Sequence, residues 1–145
     1  MSSKELDNLV QIGLLKKEPA DQAEFNGLLG SARARLNDAR KPGLSPESRF
    51  DLAYNAAHVL ALAALRWHGF RPDNKRYIIF QSLEHSLGLK REVWRVLDKC
   101  HGMRNLAEYE GRFDVDEQLL TDLLKAAEIV KQAAEKLGPK SAKRK

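Results

Sequence analysis

The stretch Cys100-His-Gly-Met-Arg-Asn-Leu-Ala-Glu-Tyr-Glu-Gly-Arg-Phe113 (CHGMRNLAEYEGRF) decides how the chain is read. Wound as a helix at about 100° per residue, it brings His101, Arg104, Asn105, Glu108 and Arg112 into one arc of roughly 100°. Trp94, upstream, falls in the same arc. Val93, Val96, Leu97, Cys100, Met103 and Ala107 fall on another side. An apolar stripe of this kind faces a core, and the polar stripe faces something else. That something is an active site, a subunit interface or solvent.

Outward from this helix the same 3.6-residue period runs through most of the chain. Phe25, Leu28, Leu29, Ala32, Leu36 and Ala39 make the stripe of a helix over 21–40, which Pro42 and Gly43 stop. Ser45 caps the next helix, with Pro46 at its first position, and the pattern continues to His68. Asp73 opens a shorter helix to about Leu87, using Tyr77, Phe80 and Leu83. A helix over 90–110 follows, ended by Gly111. Leu119, Leu120, Leu123, Leu124, Ala127, Val130, Ala134 and Leu137 line the last one, over 116–137. A first short helix over 4–15 turns Leu6, Leu9 and Val10 inward, with Ser2 and Glu5 at capping-box spacing.

No stretch alternates with period two, so no strand pairing is expected. Short loops between neighbouring helices favour antiparallel packing. The fold class expected is all-α, an up-and-down bundle of four long helices plus one or two short ones. Residues 1–20 form a short N-terminal helix and loop, 21–138 the bundle, and 139–145 a disordered basic tail.

A chain of 145 residues is one domain and buries on the order of two-thirds of its unfolded surface. Its apolar fraction is 43% and its charged fraction 31%, as in soluble globular proteins. The most apolar run, Leu52 to Leu65, is too short to span a bilayer and contains Asn55 and His58. The opening residues do not read as a signal peptide, and the expected location is the cytoplasm. One cysteine, Cys100, allows neither an internal disulfide nor a cysteine-rich zinc site. The net charge of +5 falls to +1 without Lys140, Lys143, Arg144 and Lys145 of the tail. The body therefore has no strong electrostatic footprint for nucleic acid.

Phosphate-loop, dinucleotide and nucleophile-elbow motifs are absent. His58, His68, His85 and His101 share no metal-ligand spacing, so neither a metal nor a cofactor is expected. A second polar seam lies on the apolar helix over 46–68, where Asp51, Asn55 and His58 recur at i, i+4 and i+7. Buried polar groups need partners, and Arg104 or Asn105 would supply them if the two helices are neighbours. Such a network either fixes packing or supports a site. Trp94 on a polar stripe points to cover by a second subunit.

The motif RNLAEYEGRF, near the end of a penultimate long helix, resembles the HEPN superfamily (higher eukaryotes and prokaryotes nucleotide-binding). The run from Arg49 to His85 looks like that family's long second helix and following loop, and the resemblance covers about Asp21 to Leu137. It implies a helical bundle that dimerises. It also implies a metal-independent ribonuclease motif of an Arg, a polar residue and a later His, in a cleft between subunits. Such domains resemble components of toxin–antitoxin and other defence systems, beside a nucleotidyltransferase or antitoxin partner.

Arg104 and Asn105 match the first half of that motif. The His position holds Tyr109, or Glu110 one residue on. An unperturbed Tyr, with a pKa of about 10, moves protons poorly near neutrality, so the motif reads as degenerate and the chain leans away from being an enzyme.

Three readings stand at this point. The first is an RNA-, nucleotide- or partner-binding homodimer, with Arg104, Asn105, Glu108, Tyr109, Arg112 and Trp94 in its site and Asp51, Asn55 and His58 supporting it. The second is an active ribonuclease using Arg104 with His101 or Tyr109. The third is a structural or regulatory homodimer without a ligand.

Overall fold

The computed structural model describes residues 3–73, 78–110 and 115–138, with residues 3 and 105–110 by backbone alone. The chain runs α1 (Ser3–Gln11), β1 (Leu15–Lys17), α2 (Gln22–Ala39), α3 (Pro46–Trp67), β2 (Phe70–Pro72), α4 (Ile78–Gln81), α5 (Leu83–Ser86), α6 (Arg91–Glu110) and α7 (Glu117–Glu135). It is mostly helical, as the periodicity implies.

The N-caps explain where three long helices begin. The Asp21 carboxylate accepts from the backbone N–H groups of Ala23 and Glu24. The Ser45 hydroxyl accepts from Ser48 N–H, with Pro46 next in line. Asp116 accepts from Gln118 N–H. Each cap satisfies an N–H that the helix leaves orphaned.

Helix α3 is the axis of the molecule. It packs against α2, α7, α6, α4, α5 and β2. Its Ala53, Ala56, Ala57, Ala61, Ala63 and Ala64 are fully buried, and such small side chains let neighbouring helices approach closely. The main core joins all of these but Ala64 to Phe25, Leu29 and Leu36 of α2, Leu97 and Cys100 of α6, and Leu119, Leu123 and Val130 of α7. Two ion pairs tie α2 to α7 at the surface, Arg33 to Glu135 and Arg40 to Glu128, each at 2.7 Å. The Trp67 indole N–H donates to Gly138 O at 2.9 Å and holds the end of the last helix.

Three expectations need correction. Helix α1 stops at Gln11, not Leu15. Gly13 adopts φ 85°, and the Gly13 and Leu14 N–H groups return to Val10 O and Leu9 O. This is a Schellman-type stop, which needs a residue tolerant of positive φ.

Strand pairing does occur. Leu15–Lys17 pairs antiparallel with Phe70–Pro72, with Lys16 opposite Arg71. Bonds from Asp73 N–H to Leu14 O and from Glu18 N–H to Gly69 O extend the ladder. Strands of three residues are too short to display alternation. Leu15 and Phe70 join Leu6, Leu65 and Ile78 in a second, smaller core.

Where the helix expected over 73–87 is described beyond Asp73, over 78–87, the chain instead forms two single turns with Ser82 between them. The Ser82 hydroxyl donates to Ile79 O at 2.7 Å, a local bond that competes with helix continuation. Tyr77 and Gly111 lie outside the described residues, as do Ser2 and the tail from residue 139.

Candidate functional site at the seam of α3 and α6

Helices α3 and α6 are in contact, and their polar residues meet. Asp51, Tyr54, Asn55 and His58 follow one another at helical spacing on α3, while His101 and Arg104 sit three apart on α6. The Arg104 Nε–H donates to Asp51 Oδ1 at 2.9 Å. Its guanidinium carbon also lies 5.1 Å from the centre of the Tyr54 ring, within cation–π range. The carboxylate and the ring both bear on where the guanidinium sits.

Tyr54 organises the rest. Its hydroxyl lies 2.6 Å from His101 Nδ1, and the two rings are 21° from parallel with centroids 6.2 Å apart. Its other contacts are the edge of Phe80, with centroids 5.8 Å apart, and His58 at 6.3 Å. His58 in turn packs edge-on to Phe80. The Tyr54 side chain is buried, whereas His58, His101 and Arg104 are half-buried. A wall of aromatic rings thus underlies a cation and an imidazole at the surface.

Sequence reasoning passed over Tyr54 because it sits inside an apolar run. The available signal was its spacing, three residues after Asp51 and four before His58. Asn55 is half-buried on the same helix. Trp94 is not part of the seam. Ten residues of helix separate it from Arg104, about 15 Å of rise. Its indole N–H donates to Glu84 at 3.2 Å, and its ring packs on the core. Asn105, Glu108 and Tyr109 belong to α6, but their side chains lie outside the described residues, as does Arg112 altogether.

A second polar cluster was not anticipated. Arg66, 1% exposed, donates from Nε to Glu24 at 2.7 Å and from its terminal nitrogens to Glu18 O, Pro19 O and Phe70 O. Arg71 bridges both carboxylates, with two bonds of 3.0 Å to Glu18 and one of 2.8 Å to Glu24. The hydrogen bond from Arg71 holds the Glu18 carboxyl below its ordinary range. Burial raises that of Glu24, but the bonds from Arg66 and Arg71 outweigh it and leave a net lowering. This cluster ties the connection after β1 to the end of α3, and every polar group of Arg66 is spent inside the fold.

Cys100 is no nucleophile, since burial pushes its thiol up to about 12. Among the described residues no group of three or more His, Cys, Asp or Glu could hold a metal ion. Among the described residues no helix is long and apolar enough to cross a membrane. A depression of about 550 Å³ lies along α7 and shares no residue with the seam. No family model and no curated protein matches this chain.

Proposed function

We propose that the α3–α6 seam is a phosphate-recognition site and that the chain is a HEPN-like up-and-down bundle binding RNA or a nucleotide as a cytoplasmic homodimer. The contrast between two arginines carries this reading. Arg66 is sealed at 1% exposure and fully engaged by carboxylate and carbonyl oxygens. The Arg104 side chain keeps 30% exposure and its Asp51 partner 53%. A guanidinium oriented by a neighbouring carboxylate and an aromatic face, yet open to solvent, is suited to meet two phosphate oxygens. The resemblance of RNLAEYEGRF to the HEPN motif points the same way. It further implies a nucleotidyltransferase or antitoxin as the partner in a toxin–antitoxin or defence system.

Fluorescence anisotropy with a labelled single-stranded RNA tests the reading. Binding is expected to weaken as salt rises, and Arg104→Ala is expected to weaken it and lower the salt slope by about 1. Salt-independent binding, or binding indifferent to Arg104→Ala, would sink it.

A second reading, a metal-independent ribonuclease, rests on the 2.6 Å contact between Tyr54 and His101. An orienting partner on one ring nitrogen is how an imidazole is held for proton transfer. RNA cleavage that survives a chelator and is lost on His101→Ala would favour it.

A further inference from the structure

We propose that a second copy of this chain docks on the outer face of α7, with a two-fold axis passing beside Ile129. The face shares no residue with the Arg104 seam. Three exposed large apolar side chains stand among the described residues: Ile12, Leu44 and Ile129. Ile12 follows the end of α1, and Leu44 lies in the turn before α3. Ile129 alone stands in the middle of a long helix, 43% exposed, where a polar residue is the ordinary choice.

The surface around it is shaped. Three depressions meet at Ile129. One, of about 220 Å³, has Val93 and Val96 of α6 and Ala126 of α7 in its walls. A second, of about 450 Å³, is walled by Leu87, Leu89 and Leu137. The third, of about 550 Å³, runs past Leu124 toward Arg40. The third is lined mainly by polar side chains, but an apolar knob beside an apolar hollow is what an isologous contact needs, because each copy must offer both parts.

The charges select the occupant. When two identical helices cross antiparallel at Ile129, a residue a given number of positions before it faces the residue that number after it. Positions seven away return to the same face of a helix. Those positions are Asp122 and Lys136, so each copy sets an acid against its partner's base at both ends of the contact. Asp122 already accepts from Gln118 at 3.0 Å, and a carboxylate has acceptor sites to spare. Lys125, four before Ile129, meets the small Ala133, four after, and no like charges oppose. The walls of these hollows mix Glu92, Asp122 and Glu128 with Arg40, Lys125 and Lys136, a balance that suits a self-complementary contact better than a uniformly charged polyanion.

Sedimentation velocity at tens of micromolar, with disulfide trapping, tests the proposal. The wild type is expected to sediment as a dimer and Ile129→Glu as a monomer with an unchanged helical spectrum. Asp122→Lys should weaken the dimer at least tenfold, and Asp122→Lys with Lys136→Asp should restore it. Trp94→Glu should leave it intact. Under mild oxidation Ile129→Cys should join two chains through that position, since Cys100 is buried and does not compete. A monomeric wild type would overturn the proposal and leave the face to a different protein or to the chain's own residues 139–145. A dimer unaffected by Ile129→Glu, or one lost on Trp94→Glu, would overturn it equally.

Discussion

The Tyr54 hydroxyl and the His101 Nδ1, 47 residues apart in sequence, lie 2.6 Å from each other. With the hydroxyl donating, Nδ1 is the acceptor and the neutral imidazole carries its proton on Nε2. Tyr54→Phe keeps the ring beside Arg104 and against Phe80 and removes only the hydroxyl. Nitrogen-15 NMR of the His101 ring should then show the two tautomers mixing, and urea unfolding should show a loss of about 1 kcal/mol. An unchanged tautomer would mean that Tyr54 does not set it.

Arg66 and Arg104 should respond very differently to truncation. Removing the Arg66 guanidinium takes the donor from three backbone carbonyl oxygens and one of its two arginine partners from Glu24, which keeps Arg71 at 2.8 Å. Leaving acceptors without their donor costs about 1–3 kcal/mol each where they are buried, so Arg66→Met should lower the urea midpoint severely. Arg104, 30% exposed in its pair with Asp51, should cost less than about 1 kcal/mol on truncation. If the two variants unfold at similar midpoints, the distinction drawn between clamp and site is wrong.

The legible part of this chain was whatever a helical period writes into it. The buried stripe of α2 (Phe25, Leu29, Ala32, Leu36 and Ala39) could be read in advance, and so could the cap at Ser45. The seam was half legible. Asp51 and His58 announced a polar line on a buried helix, and Arg104 is the partner that meets it. Tyr54 was hidden because an aromatic in an apolar run reads as core, and it is core as well, at 4% exposure. The two strands and the cluster around Arg66 were not legible. Both depend on residues near 15–24 meeting residues near 66–72, and no local pattern records that meeting. Arg66 itself looked like an ordinary basic residue near a helix C-terminus, where such residues are commonly exposed.

Acid should loosen the N-terminal connection first. Glu18 and Glu24 have carboxyl groups held below the ordinary value of 4.5 in the folded chain. A lowered folded value means that their contribution to stability is present in full above about pH 4.5. It is lost as pH falls below that, through the lowered folded values. Thermal midpoints should therefore drop between pH 4.5 and lower pH, and Glu18→Gln with Glu24→Gln should flatten part of that slope. Glu128, also lowered on balance by Gln132, Lys131 and Arg40 against the opposing effect of burial, should keep some of it. A slope unchanged in the double variant would show that acid acts elsewhere.

The sharpest probe of the seam is the acid beside the arginine. If Arg104 receives a phosphate, the group must approach a guanidinium that already holds Asp51 at 2.9 Å. The Asp51 carboxylate then plays two opposed parts, orienting Arg104 and repelling the incoming anion. Asp51→Asn separates them, because the amide oxygen can still accept from Arg104 Nε–H while the negative charge is gone. Two like charges about 4 Å apart in a water-like surround repel by about 1 kcal/mol, which is roughly fivefold in affinity. Asp51→Asn should therefore tighten RNA or nucleotide binding a few-fold while Arg104→Ala weakens it, and high salt should shrink the difference between Asp51→Asn and the wild type. Binding that weakens in Asp51→Asn would mean that the carboxylate serves the complex and that phosphate does not take its place on Arg104. Loss of stability in both variants, with binding absent throughout, would reduce the seam to a device for packing α3 on α6.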